Sequence, residues 1–150
     1  MSEVTYRIAQ VDDVAAVFEY ESRKHFDPNI DEIENQIFIW NSNFRKEALE
    51  HYFKTGWSFV AVNPQQQIAG FFMGQALLFI DKQTQSLWVE YVSADTDAVY
   101  TELVDIAYRL SREKHFQRVL FADEVAQHNL TKPFPFQKWD RTTTWLKTTK

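Results

Sequence analysis

Residues 68–94, IAGFFMGQALLFIDKQTQSLWVEYVSA, limit the possible folds more than any other stretch. IAGFFMGQALLFI is almost wholly apolar, so the strand it forms needs cover on both faces. DKQTQ breaks the run, and SLWVEYVSA (86–94) returns as a second strand, making an antiparallel hairpin. Gly70 and Gly74 lie inside the first strand, where glycine marks a bulge or a close backbone neighbour. A central hairpin of this kind requires a layer on each side.

The flanking sequence supplies those layers. VTYRIA (4–9) alternates as a short strand. Val11, Val14, Ala15 and Phe18 then recur at helical spacing, and FDPN ends that helix. A second helical region runs from Ile30 to Lys54. Ile33, Ile37, Trp40 and Phe44 form one stripe; Leu49, Tyr52 and Phe53 form another; NSN (41–43) is the place to kink or split it. GWSFVAVN reads as a strand before the turn NPQQQ. After the hairpin, Val99, Leu103, Ile106 and Leu110 set a helix over 98–114, and RVLFAD (118–123) reads as a short buried strand. VAQHNL is a helical stub that Pro133 and Pro135 end, and FQKWDRTTTWLKTT closes the chain as an edge strand. The expected class is α+β in three layers, one domain over 1–150, with a mixed sheet and helices on both faces. The unit from 86 to 123 is expected to be a right-handed parallel crossover.

Composition narrows the function. A net charge of −5 argues against a nucleic-acid partner. There are no cysteines, which removes thiol nucleophiles and cysteine zinc sites, and the four histidines have no metal-ligand spacing. MSEVTYRIAQ has no apolar signal core and no run of 18 apolar residues occurs, so a soluble, cytoplasmic protein without a membrane partner is expected. Phe38, Trp40, Phe44, Tyr52, Phe53 and Trp57 cluster around the second helical region. Core packing is their ordinary role; a pocket wall for an apolar or cationic ligand is the alternative. Glycine is scarce: three residues, none after Gly74, where average usage would give roughly ten.

The element order resembles the GCN5-related N-acetyltransferase superfamily, with an acyl-CoA N-acyltransferase-like sheet. YRIAQVDDVAAV is similar to that family's opening strand and helix, the hairpin to its centre, and LVDIAYRLSREKHFQRVLF to its third helix and fifth strand. The resemblance implies a coenzyme A pyrophosphate held after the fourth strand by Q/R-x-x-G-x-G/A at a helix N-terminus. Counting back from Leu103 and Val104 places Asp95, Ala98 and Tyr100 at the basic and two glycine positions. Tyr91, Val92 and Ser93, just before them, and Asn129 are the remaining positional equivalents of cofactor-binding residues. The family's late tyrosine acid, about seven residues after the asparagine, falls on Phe136, which has no proton to give. Glu90 occupies a strand position where a relative's general base can stand; a solvent-facing residue is the plainer reading.

Together these substitutions imply a blocked anion site, with Tyr100 in the pyrophosphate's place and Asp95 or Asp97 capping the helix. The expected function is an acetyltransferase-like domain that has lost its usual acetyl-CoA binding, needs no cofactor, and binds a small molecule or protein, a second copy included. The alternative is an active N-acetyltransferase using acetyl-CoA or another acyl donor through atypical contacts.

Overall fold

The structure is a computed structural model that describes residues 3–139 and 143–148. In chain order it comprises β1 (Thr5–Ile8), a 3₁₀ turn (Val11–Asp13), α1 (Val14–His25), α2 (Glu32–Trp40), α3 (Lys46–Phe53) and β2 (Phe59–Val62). Then come β3 (Ile68–Ile80), β4 (Gln83–Ala94), α4 (Asp97–Glu113), β5 (Arg118–Phe121) and α5 (Asp123–Gln127). The five strands form one mixed sheet in the order β1-β2-β3-β4-β5. All pairs are antiparallel except β4–β5, which are parallel and joined through α4.

Each face of the sheet buries its own apolar layer. On one side Val17 of α1, Leu49 and Phe53 of α3 and Phe44 pack with Val60, Phe71 and Met73. On the other, Val99, Leu103, Val104 and Ala107 of α4 pack with Phe72, Leu87 and Val89. The central hairpin turns through Asp81 and Lys82, whose φ angles of 53° and 67° suit a tight two-residue connection.

The bulge expected from the glycines lies across from β3's second glycine. Met73 pairs with Tyr91 and Gly74 with Val89, so Glu90 has no partner on β3. The extra residue reverses the alternation of β4. Leu87 and Val89 therefore face α4, but Tyr91 faces α1. A Cβ on Gly74 would lie 2.5 Å from the Trp57 carbonyl oxygen, which explains glycine there. Beyond the bulge β4 keeps β3 as its neighbour but loses β5: its pairing with β5 spans Ser86↔Arg118 to Val89↔Phe121 and stops.

Several expectations are corrected. The helical region after residue 30 is two helices, split at residues 41–45. α2 has no buried residue; Ile33 and Trp40 are 67% and 65% exposed, so its apolar stripe does not form core. The buried face of α1 is Val14, Val17 and Glu21, while Val11 and Ala15 are exposed, because helical geometry starts only at Val14. β5 is half-buried at the sheet edge, not enclosed. The expected edge strand around Arg141–Thr148 is not formed over 143–148; residues 140–142 lie outside the described residues.

Candidate functional site

The bulge that turns Tyr91 toward α1 creates a polar cluster inside an apolar layer. Glu21, 1% exposed, receives the Tyr91 hydroxyl at Oε2 and the Ser93 hydroxyl at Oε1 (2.5 Å), and its Oε2 meets His25 Nε2 at 2.8 Å. Lys24 donates to Ser93 Oγ (2.8 Å) and to the Ala94 carbonyl (3.0 Å), with its ammonium 3.8 Å from Glu21. One turn earlier Tyr20 donates to Asp95 Oδ1 at 2.7 Å and to the Ala69 carbonyl at 3.2 Å. Burial, then the neighbouring carboxylates Asp95 and Glu21 respectively, pushes the phenols of Tyr20 and Tyr91 well above the usual tyrosine range. Both remain proton donors at neutral pH. A buried carboxylate is tolerated only with such partners, so the cluster ties α1 to the end of β4.

Two cavities open beside this cluster, and His25 borders both. One, about 380 Å³, is walled by His25, Phe38, Phe44, Tyr91 and the 41–43 loop. The His25 ring stacks on Phe44 with centroids 5.2 Å apart. The other, about 750 Å³, lies between α2 and the pair α1 and α3. Phe38 and Trp40 thus line cavities, Phe53 is core, and Phe44 is a core residue that also walls the smaller cavity. Glu90 is held by Trp88 Nε1 (2.7 Å) and Asn43 Nδ2 (3.4 Å) and does not line either cavity.

The β4–α4 junction differs in detail from the sequence expectation. Thr96, not Asp95 or Asp97, caps α4, its hydroxyl accepting from Val99 N at 3.1 Å. Asp95 is used by Tyr20. Asp97, in the first turn of α4, accepts from Asn129 Nδ2 at 2.9 Å and meets His128 Nε2 at 3.2 Å. The His128 ring lies on Tyr100 with centroids 3.6 Å apart and planes within 9°. Tyr100 is buried in the α4 layer, where burial and then Glu124 raise its phenol to about 12. Ala98 is exposed at the helix start, and Val92 is core. α5 ends at Gln127, before the prolines are reached, so Asn129 and Phe136 stand outside any helix. Phe136 sits edge-on to Phe121.

No protein family model matches the chain, and none of the curated proteins matches it in sequence. Solved structures do match in shape. An aminoglycoside N-acetyltransferase in complex with CoA aligns over 99% of this chain and 97% of its own, at 13% identity and a TM-score of 0.62. A predicted acetyltransferase with acetyl-CoA from Clostridium acetobutylicum aligns over 95% and 96%, at 14% identity and a TM-score of 0.57. The PaiA N-acetyltransferase from Thermoplasma acidophilum, in complex with coenzyme A, aligns over 76% and 75%, at 11% identity and a TM-score of 0.55.

The fold is that of the GCN5-related N-acetyltransferases. Within this acetyltransferase fold, β4 and β5 pair in parallel across the α4 crossover, as the strand order implied, and part after Val89 and Phe121. Among the described residues no group of three or more His, Asp or Glu side chains is arranged to hold a metal, and no helix is long and apolar enough to cross a membrane. The sequence reading missed the Glu21 cluster. Its signal was present: Glu21 follows Val14 and Val17 at helical spacing, on the stripe that faces the sheet.

Proposed function

We propose that this chain is an acetyltransferase-fold protein whose cofactor groove is closed at its pyrophosphate end, and that it works as a binding module for a small molecule or a protein. The observation that carries this reading is the Asp97 latch. Asp97 holds both His128 and Asn129 across the start of α4, and His128 is stacked on Tyr100. An anion site at a helix start needs free N–H groups and close backbone approach. Here the carboxylate of Asp97 occupies that region, Thr96 takes one N–H, and side chains stand where glycines would give access. These residues do not fit a pyrophosphate. The asparagine position, Asn129, is spent on Asp97, and Phe136 has no proton for a leaving thiolate.

A second reading, an active acetyltransferase with atypical acyl-donor contacts, is favoured by one observation. β4 and β5 separate after Val89 and Phe121, the opening through which this fold admits a pantetheine arm. Calorimetric titration with CoA and acetyl-CoA separates the two. The closed-groove reading expects no saturable heat and no melting shift, whereas ligand at 100 times its dissociation constant would add about 2.7 kcal/mol of stability. Micromolar CoA binding, or acetyl transfer confirmed by product mass, overturns it.

A further inference from the structure

α2 is an apolar helix that buries nothing. Ile33, Ile37 and Trp40 recur at i, i+4 and i+7, the spacing of one helix face. That face is turned to solvent: Ile33 and Trp40 are 67% and 65% exposed, and Ile37 is 47% exposed. Among the described residues only Ile39 of this helix packs against a core cluster. Phe26, 62% exposed, borders the same 750 Å³ cavity as Ile39 and Trp40 and extends the apolar surface. A single exposed hydrophobic residue needs no explanation, but a stripe of them marks an interaction site. At about 200 Å² per large side chain, Phe26, Ile33, Ile37 and Trp40 leave roughly 450–500 Å² in water. With an apolar share near 60%, that corresponds to about 800 Å² per partner, the size of a standard stable interface.

The charges beside the stripe match a copy of the same surface turned end for end. Asp31 caps α2, and Glu32 and Glu34 occupy its first turn. The other end is followed by Arg45 and Lys46 at the start of α3. Among the described residues no ion pair uses Asp31, Glu32, Glu34 or Lys46, and Arg45 is shared with Glu47 at 2.9 Å. One end is therefore net negative and the other net positive. Two such helices laid parallel would set carboxylates against carboxylates, whereas laid antiparallel they bring opposite charges together. A patch that complements its own two-fold image is what an isologous contact requires.

We infer that this face is a homodimer interface, with α2 packed antiparallel on α2 of a second copy about a two-fold axis at Ile37. Ile33 of each copy then meets Trp40 of the other. Gln36, one turn from Ile33, borders the 750 Å³ cavity, so the arriving indole has a pocket to fill, the usual setting of an aromatic anchor. The inference goes beyond the binding-module reading and does not depend on the cofactor groove being closed.

The test is sedimentation equilibrium of the intact chain over a wide concentration range, with twice the 17.8 kDa chain mass expected at the upper end. Trp40→Ala, which removes an anchor from both copies, should weaken association about 30-fold or more with an unchanged circular dichroism spectrum. If that variant misfolds, Ile37→Glu, which sets like charges across the axis, should do the same. The chain has no cysteine, so Ile37→Cys supplies a lone thiol at the axis and should cross-link to its own copy under a mild oxidant. Ile33→Cys should not, since antiparallel packing parts the two thiols by about 12 Å along the helices, beyond the roughly 7 Å reach of a disulfide. A 17.8 kDa mass at every concentration overturns the proposal and leaves the face to a different partner. A dimer unchanged by a folded Trp40→Ala or Ile37→Glu variant overturns it too, and so does Ile33→Cys cross-linking as fast as Ile37→Cys. CoA titration reports separately, so CoA binding would end the closed-groove reading and leave this one standing.

Discussion

Removing the Glu21 carboxylate tests whether the polar cluster organises the fold around β4. Glu21→Ala deletes the acceptor for Tyr91 and Ser93 and the contact with His25 Nε2, all inside a side chain environment that leaves Glu21 1% exposed. Hydrogen bonds to charged groups contribute about 1.5–3 kcal/mol each, but members of one network are not additive. Breaking a buried charged network by removing one partner costs about 3–5 kcal/mol, here because Lys24 and two hydroxyls lose their counterpart. That is about a third or more of a typical domain's stability. At this chain length it lowers Tm by roughly 6–20 °C. Glu21→Gln keeps the shape and one acceptor, so its cost should be nearer 1–3 kcal/mol. Urea unfolding followed by fluorescence of the five tryptophans measures both. A loss below about 1 kcal/mol for Glu21→Ala would refute the reasoning, since a hydroxyl or an ammonium then finds water without penalty.

Gly74→Ala should destabilise by about 1–3 kcal/mol, because its Cβ meets the backbone of Trp57; an unchanged urea midpoint would contradict the clash. Thr96→Ala should cost about 0.5–2 kcal/mol through loss of the α4 cap, while Asp95→Ala leaves that cap in place; equal effects with no change in helix content would show that Thr96 is not the cap. Tyr100 titrates near 12 in the folded chain and near 10 when unfolded, so its contribution is complete below about pH 10 and is lost as pH rises through 12. Tyr100→Phe should flatten the urea midpoint over that window relative to wild type. Wild-type protein should give no acetyl transfer from acetyl-CoA to common amine acceptors, checked by product mass.

Most of the elements, the central hairpin and the parallel crossover were legible because hydrophobic period and turn residues are local signals. The hairpin, its bulge glycines and the α4 crossover all follow from such patterns. The roles of α2 and Glu21 were not legible. Ile33 and Ile37 carry the same apolar spacing whether a helix packs or stands away, so spacing alone cannot report exposure. Glu21 looks like one more charge in EYESRKH; only the β4 bulge, by turning Tyr91 to its side, makes it the centre of a cluster. The capping residue was misassigned for a different reason. Asp95, Thr96 and Asp97 are all good caps, and Asp95 and Asp97 are committed to Tyr20, His128 and Asn129, which lie far away in sequence.

The sheet places its strands in the order in which they occur in the chain. β2, β3 and β4 can therefore zip by short loop closures as a meander, a fast route because little chain entropy is lost per contact. The link between Glu21 and Tyr91 spans 70 residues and cannot form until β4 has its bulge. Kinetically, that makes the docking of α1 a late event: substitutions at Glu21 should accelerate unfolding more than they slow folding.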